Sequence, residues 1–312
     1  MKIEKYQKFL GGAALSVIAA HTQISISNPN VLFSMGEKIL SIVGVLGVPI
    51  FLVLSGISYG YNQLGIKDFF LKKIKQLAPP WIVYGIFNML LSYISSGEKS
   101  AISLYNLFFG WVGVYYLINL IVFWILFFII PHTKKMLVGT IICSFVFQIW
   151  CAVTEFNGIS IYYNFIAWIG WFSIGLLINK MKVIVKWPSY KYLISSCLIG
   201  ACIVLKFGVN YASAWFIPFA LICFCLIAKS AVQIVDSKVG SYFQVLGQNS
   251  MLIMFTNFYI TIFLTKIIIS ITGMPGIIIL CPILTSLCYF AAIIIARKIK
   301  IIAPLLNLLG VK

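Results

Sequence analysis

The sequence predicts an all-α bundle of membrane-spanning helices, and three observations carry that prediction. Of 312 residues, 62% are hydrophobic and only 9% are charged, far from the average for a soluble domain. The apolar residues fall in runs of about 20, the length that crosses a hydrocarbon core of roughly 30 Å. The 23 basic residues stand in short groups between those runs. With the N-terminus threaded into the cytoplasm, all except Lys38, Lys99, Lys206 and Lys266 fall on that side, in keeping with the positive-inside bias.

Taken in order, the first span is expected over Phe9–Ile26, after Lys2, Lys5 and Lys8. Nine more follow at roughly 40–60, 79–96, 105–130, 136–154, 159–178, 192–209, 211–228, 244–271 and 276–296. A polytopic bundle of about ten spans returns both termini to the cytoplasmic side. The basic start also has the form of a signal peptide cleaved near Ala20. Ile18 is large for the −3 position, however, and losing this span would spoil the alternation. No stretch is long and polar enough for a separate soluble domain, so residues 1–312 are expected to form one integral membrane domain.

The formal charge of +17 invites a nucleic-acid partner, but lysines placed between apolar runs signal topology instead. Partners are therefore expected to be the lipid bilayer and, on the basic face, anionic headgroups or ligands. Eight cysteines lie almost wholly inside the spans, with no Cys-x-x-Cys pair and no histidine at metal spacing. Structural disulfides and a metal site are not expected; small apolar packing residues are. No internal repeat or inverted pair of broken helices suggests a secondary transporter.

Among residues that can carry chemistry, His21 comes first. It lies about 18 Å into the first span, past the bilayer midplane, and is followed by Thr22 and Gln23. A neutral imidazole accepts a proton from a hydroxyl nucleophile, the role of a general base; a histidine bonded across helices or lying near the outer headgroups is the other reading. Lys72, Lys73 and Lys75 suit phosphate binding at the cytoplasmic mouth, or simply a solvated positive-inside connector. Ser55-Gly56 suits a close helix contact; a nucleophilic serine is the sharper alternative, with no elbow motif beside it. Asn88, Asn119, Gln148, Asn164 and Asn210 are expected to face the bundle interior.

The order of motifs resembles the membrane acyltransferase-3 family. KYQKFLGGAALSVIAAHTQ is similar to that family's first helix, and His21 occupies the position of its catalytic histidine. PIFLVLSG, followed by FFLKKIKQLAPPW, is similar to its second helix, basic segment and proline-aromatic pair. Gly113-Val114-Tyr115-Tyr116-Leu117, Trp168-Ile-Gly-Trp171-Phe-Ser-Ile-Gly175 and the run from Leu246 to Asn257 match later segments in order. Three positions depart from the pattern: Leu10 where the family has an arginine, Gln76 in its Arg-x-x-Arg, and Asn257 where it has a late histidine. Lys73 keeps one charge of that pair, without a guanidinium's fork.

The resemblance implies an integral O-acyltransferase of the bacterial-type cell membrane. It would take an acyl group, acetyl from acetyl-CoA, to a hydroxyl of a surface polysaccharide or its lipid-linked precursor. His21 would be the base and Lys72, Lys73 and Lys75 the donor-binding cations. Tyr115, Tyr116 and Asn257 would contact the glycan acceptor, and no metal or nucleic acid takes part. The three departures favour an alternative, a polysaccharide exporter or lipid-linked sugar translocase that keeps the fold without the catalysis.

Overall fold

Inside hydrocarbon a chain has no water to bond its amides, so each apolar run satisfies its backbone internally as a helix. The computed structural model describes residues 3–22, 31–61, 65–97, 102–109, 114–154, 164–181, 189–207, 216–233 and 237–299. Every regular element among them is helical: α1 (Ile3–Ala20), α2 (Val31–Gly44), α3 (Gly47–Gly60), α4 (Ile66–Ser96), α5 (Leu104–Phe108), α6 (Val114–Ile129), α7 (Lys134–Thr154), α8 (Phe165–Met181), α9 (Tyr190–Phe207), α10 (Phe216–Gln233), α11 (Lys238–Gln248), α12 (Ser250–Thr272) and α13 (Cys281–Lys298), with a 3₁₀ turn over Pro275–Leu280.

Five stretches among the described residues are long and apolar enough to cross a membrane: Val31–Gly60, Lys67–Ile94, Lys134–Cys151, Ser250–Thr272 and Gly276–Lys298. Shorter apolar helices cover Gly11–Ala20, Val114–Ile129, Phe165–Lys180 and Phe216–Ile227. The all-α class is therefore present, with five full-length stretches where hydropathy suggested ten. Hydropathy does not register helix ends, and three boundaries differ for that reason. The span expected from residue 40 extends back to Val31, with a break between α2 and α3 at Val45-Leu46. The span expected over 244–271 is divided at Asn249, between α11 and α12. The basic connector before Pro79-Pro80 is itself helix, continuous with the apolar span beyond. The two prolines remove the amides that would bond the carbonyls of Lys75 and Gln76; both those residues are exposed.

Glycines set the closest helix contacts. A methyl group added at Gly56 would stand 2.1 Å from the Phe172 carbonyl oxygen, and one at Gly175 would stand 2.0 Å from that of Val53, so α3 and α8 touch backbone to backbone. Gly170 meets the Ser144 hydroxyl in the same way, at 2.7 Å, and that hydroxyl accepts from the Gly170 amide while donating to the Ala167 carbonyl. At Gly11 the contact is with the Phe243 carbonyl of α11, at 2.0 Å. Trp168, Trp171, Phe172 and Phe123 are fully buried around these seams.

Asn88, Asn119, Gln148 and Asn164 are all buried, as their cost in lipid requires. Two of them serve their own helices: Asn88 donates to the Tyr84 carbonyl at 2.8 Å, and Asn164 accepts from the Ile166 amide at 3.2 Å. Asn210 and Gly113 lie outside the described residues.

Gly175→Val is expected to destabilise the protein by about 3 kcal/mol, the upper end for overpacking, because no side-chain movement relieves a clash with a carbonyl. Gly139→Val on α7, where an added methyl meets nothing within 4 Å, serves as the control. Thermal unfolding of both variants in detergent tests the difference.

Candidate functional site

The residues between α3, α4, α6 and α12 enclose a cavity of about 550 Å³, within the range of small-molecule sites. From α3 come Ser55, Ser58 and Tyr59; from α4, Phe69, Lys72 and Lys73; from α6, Tyr116 and Trp124; and from α12, Ser250, Met251 and Met254. Trp124 lies eight residues after Tyr116, so the cavity extends about 12 Å along α6 at 1.5 Å per residue.

Lys73 marks one end. Its ammonium lies 5.0 Å from the ring centre of Trp124 and 5.5 Å from that of Phe69. Phe69 precedes it by one helical turn on the same face of α4. Two ring faces hold the charge in place, while the neighbouring Lys72 is exposed. At the other end, the Ser55 and Tyr116 hydroxyls are 3.0 Å apart, with Tyr116 buried. Apolar wall separates the two ends, including Phe51, Leu117 and Leu120. The arrangement is a cationic rim, an apolar throat and a pair of hydroxyls within.

His21 does not line this cavity. It follows the last turn of α1, its amide donating to the Ile18 carbonyl at 3.1 Å, and its half-buried ring stands edge-on to Phe258 at 5.4 Å between centroids. Phe258 is four residues beyond Met254, hence on the same side of α12 and one turn further along. His21 therefore sits about 5 Å of helix rise beyond the cavity lining. Asn257, next to Phe258, is buried; its amide donates to the Met254 carbonyl at 3.0 Å, and its side-chain oxygen has no partner among the described residues. Thr261, four residues on, is equally buried and without a partner for its hydroxyl. Another turn on, the buried Thr265 hydroxyl faces the Cys281 thiol, a weak partner. Asn257, Thr261 and Thr265 thus form a polar row on one face of α12 leading away from the cavity.

Of the residues singled out in the sequence, Lys72, Lys73, Tyr116 and Ser55 come together in the cavity. His21 and Asn257 adjoin it one turn away. Lys75 is exposed and Tyr115 half-buried, both outside its lining. Lys8 and Leu10 lie on α1 with side chains outside those described.

Sequence reasoning passed over His132. Its ring stands edge-on to Tyr59 and Phe127, at 6.5 and 6.4 Å, its carbonyl accepts from Lys180 at 2.6 Å, and its buried Nδ1 has no partner among the described residues. Its rarity was the available signal, since the chain has only two histidines.

A family model for an acyltransferase domain matches residues 11–296. No curated protein and no solved structure matches the chain.

The Ser55–Tyr116 contact is expected to contribute about 1 kcal/mol, as a part-buried neutral hydrogen bond does. A double-mutant cycle with Ser55→Ala and Tyr116→Phe measures it. Each single variant leaves the other hydroxyl without this partner, so the double variant should lose less than the sum of the two.

Proposed function

Because the chain belongs to the acyltransferase-3 family, we propose that it is a membrane O-acyltransferase moving an acetyl group from acetyl-CoA to a hydroxyl of a surface glycan or its lipid-linked precursor. The observation that carries this reading is the cavity. Lys72 and Lys73 at its rim suit the phosphates of a nucleotide-bearing thioester, and its apolar throat suits the arm between phosphates and acyl group.

In this reading the five full-length stretches, the four shorter apolar helices and α9 make up ten crossings of the cell membrane. The basic segments keep both termini, and the rim lysines, on the cytoplasmic side. Acetyl-CoA, when bound, supplies an acyl carbon already activated as a thioester. Lys72 and Lys73 offset the phosphate charge, and the rings of Phe69 and Trp124 keep Lys73 from swinging out of the rim. The Ser55–Tyr116 pair provides the hydroxyls at the cavity's inner end. His21, one turn of α12 further on, takes the proton from the acceptor hydroxyl at its neutral ring nitrogen. The buried setting excludes the water that would otherwise hydrolyse the thioester.

The row along α12 supports a hydroxyl-rich acceptor. A buried polar atom without a partner costs about 1–3 kcal/mol, and the oxygens of Asn257 and Thr261, which meet no partner among the described residues, suit a ligand that supplies one. Sugar hydroxyls supply the donors they lack. Asn257 does not titrate, so it orients the acceptor and leaves proton transfer to His21.

Purified protein in nanodiscs, given radiolabelled acetyl-CoA and an isolated glycan fraction, tests the reading through base-labile esters. His21→Ala is expected to lower kcat by about 10²–10⁴, the range of a general base, with the protein still folded. Ester formation unaffected by this change would remove the base from His21. Ester levels that never depend on the gene, with altered amounts of surface glycan in cells lacking it, would favour export, the reading that Leu10, Gln76 and Asn257 suggest.

Lys73→Gln is expected to raise the KM for the donor about tenfold, matching about 1.5 kcal/mol for one charge-assisted contact, with a smaller effect on kcat. Lys75→Gln, outside the cavity, should change neither. Steady-state rates against donor concentration for the two variants make the comparison.

A further inference from the structure

A second hollow lies at the other end of α12. It is a groove of about 600 Å³ between α2 and the turn that follows α12, lined only by apolar residues and glycines, among them Leu32, Met35, Ile39, Met274 and Ile277. Ser250, at the start of α12, lines the cavity, whereas Gly273, just past its end, lines the groove. With 23 residues, α12 separates them by about 33 Å, close to the hydrocarbon thickness of roughly 30 Å. Cavity and groove therefore serve opposite faces of the membrane.

Three features suit the groove to a hydrocarbon chain carrying a phosphate. Residues next in sequence to its lining, Phe33, Leu40 and Ile278, share one buried cluster with Ala19, two residues before His21. Its rim holds Met35 and Met274, 56% and 66% exposed, whose unbranched thioethers adapt to an irregular chain. Beside it Lys38 is exposed on α2, next to Ile39 and one turn from Met35. The stretch Val31–Gly60 has 30 residues and so a length of about 45 Å. With Gly60 at the cytoplasmic face, its first turns reach the outer headgroups. The groove then lies where hydrocarbon gives way to phosphate, beside one of the few cations on that side.

We infer that this groove seats the hydrocarbon tail of a lipid-linked sugar, with its phosphate at Lys38 and its glycan beside the His21 end of α1. The inference rests on the acyltransferase reading, and it assigns the acceptor's lipid a site distinct from the donor cavity. A bulk phospholipid has the same tail and charge but carries no sugar to bring to His21.

The test uses the full chain in nanodiscs and two photoactivatable probes with a diazirine on the tail, a polyprenyl phosphate and a phosphatidylglycerol. After irradiation, adducts are located by peptide mass spectrometry. The polyprenyl phosphate is expected to label the peptides of Met35 and Met274 several-fold more than the phospholipid does, and unlabelled polyprenyl phosphate should compete. Met35→Trp, which fills the rim, should reduce that labelling at least fivefold. Gly36→Leu should do the same from within, since a side chain there meets Ile278, a Cβ already standing 2.6 Å from its Cγ2. Equal labelling by both probes, or labelling indifferent to Met35→Trp, would overturn the proposal and leave an ordinary lipid contact. Labelling as expected without ester formation would keep the groove and remove the transferase reading. Esters formed on a glycan lacking any lipid, with the groove unlabelled, would do the reverse.

Discussion

The backbone contact between α3 and α8 is the constraint on which the rest depends. Lipid tails are as apolar as leucine, so membrane helices gain nothing from the hydrophobic effect on pairing and are held by close packing and polar contacts. At Gly56 and Gly175 the side chains are reduced to hydrogen, and each helix presents a carbonyl to the other's Cα. Contacts of that kind add weak Cα–H···O attraction to dispersion. The same turn of α3 carries Ser55 on one side and Gly56 on the other. The seam with α8 therefore determines how deep Ser55, Ser58 and Tyr59 stand in the cavity, and the Ser55–Tyr116 bond carries the constraint on to α6.

What the sequence made legible follows from which signals are local. Apolar run length revealed the helical class, and the small pair Ser55-Gly56 inside a run marked the tight seam at Gly56. Lys72, Lys73 and Lys75 were conspicuous as charge next to an apolar span, and the first two line the cavity. That Lys75 is left outside the cavity was not legible, because it depends on the rotation of α4, and α4 runs unbroken through Pro79-Pro80 where a connector was expected. The division at Asn249 was hidden for a related reason: Asn249 bonds back to the Val245 carbonyl through both its amide and its side chain, which ends α11 without any loss of hydropathy. The groove left no sequence signal, since leucine, methionine and glycine look the same whether they face lipid or line a hollow.

The family departures acquire a physical setting from the cavity. A guanidinium grips a phosphate with two parallel bonds, whereas an ammonium offers a point charge on a flexible stem. Such a stem binds a diffuse anion well only when its own freedom is already restricted. Trp124 and Phe69 supply that restriction for Lys73 from two helices, and Lys72 stands next to it with the charge that Gln76 lacks. In the proposed donor site, preorganisation at Lys73 would offset the geometry lost at Gln76, a compensation that residue-by-residue comparison with the family pattern does not reveal.

α12 sets the distance over which the chemistry has to be arranged. In the proposed reaction, a donor at one face and an acceptor anchored at the other would meet only if the reacting groups travel inward, and α12 has cavity-lining residues at its start and a groove just past its end. The residues between are not uniformly apolar: Thr256 bonds the Tyr289 hydroxyl at 2.8 Å, while the side-chain oxygens of Asn257 and Thr261 meet no partner among the described residues. In hydrocarbon such atoms carry a free-energy cost. Sugar hydroxyls relieve that cost and a purely apolar guest does not, so the row discriminates by what it leaves unsatisfied. In the proposed reaction, selection for a hydroxylated acceptor would then reside in the helix that joins the two ends, with His21 packed against it at the level where the row begins.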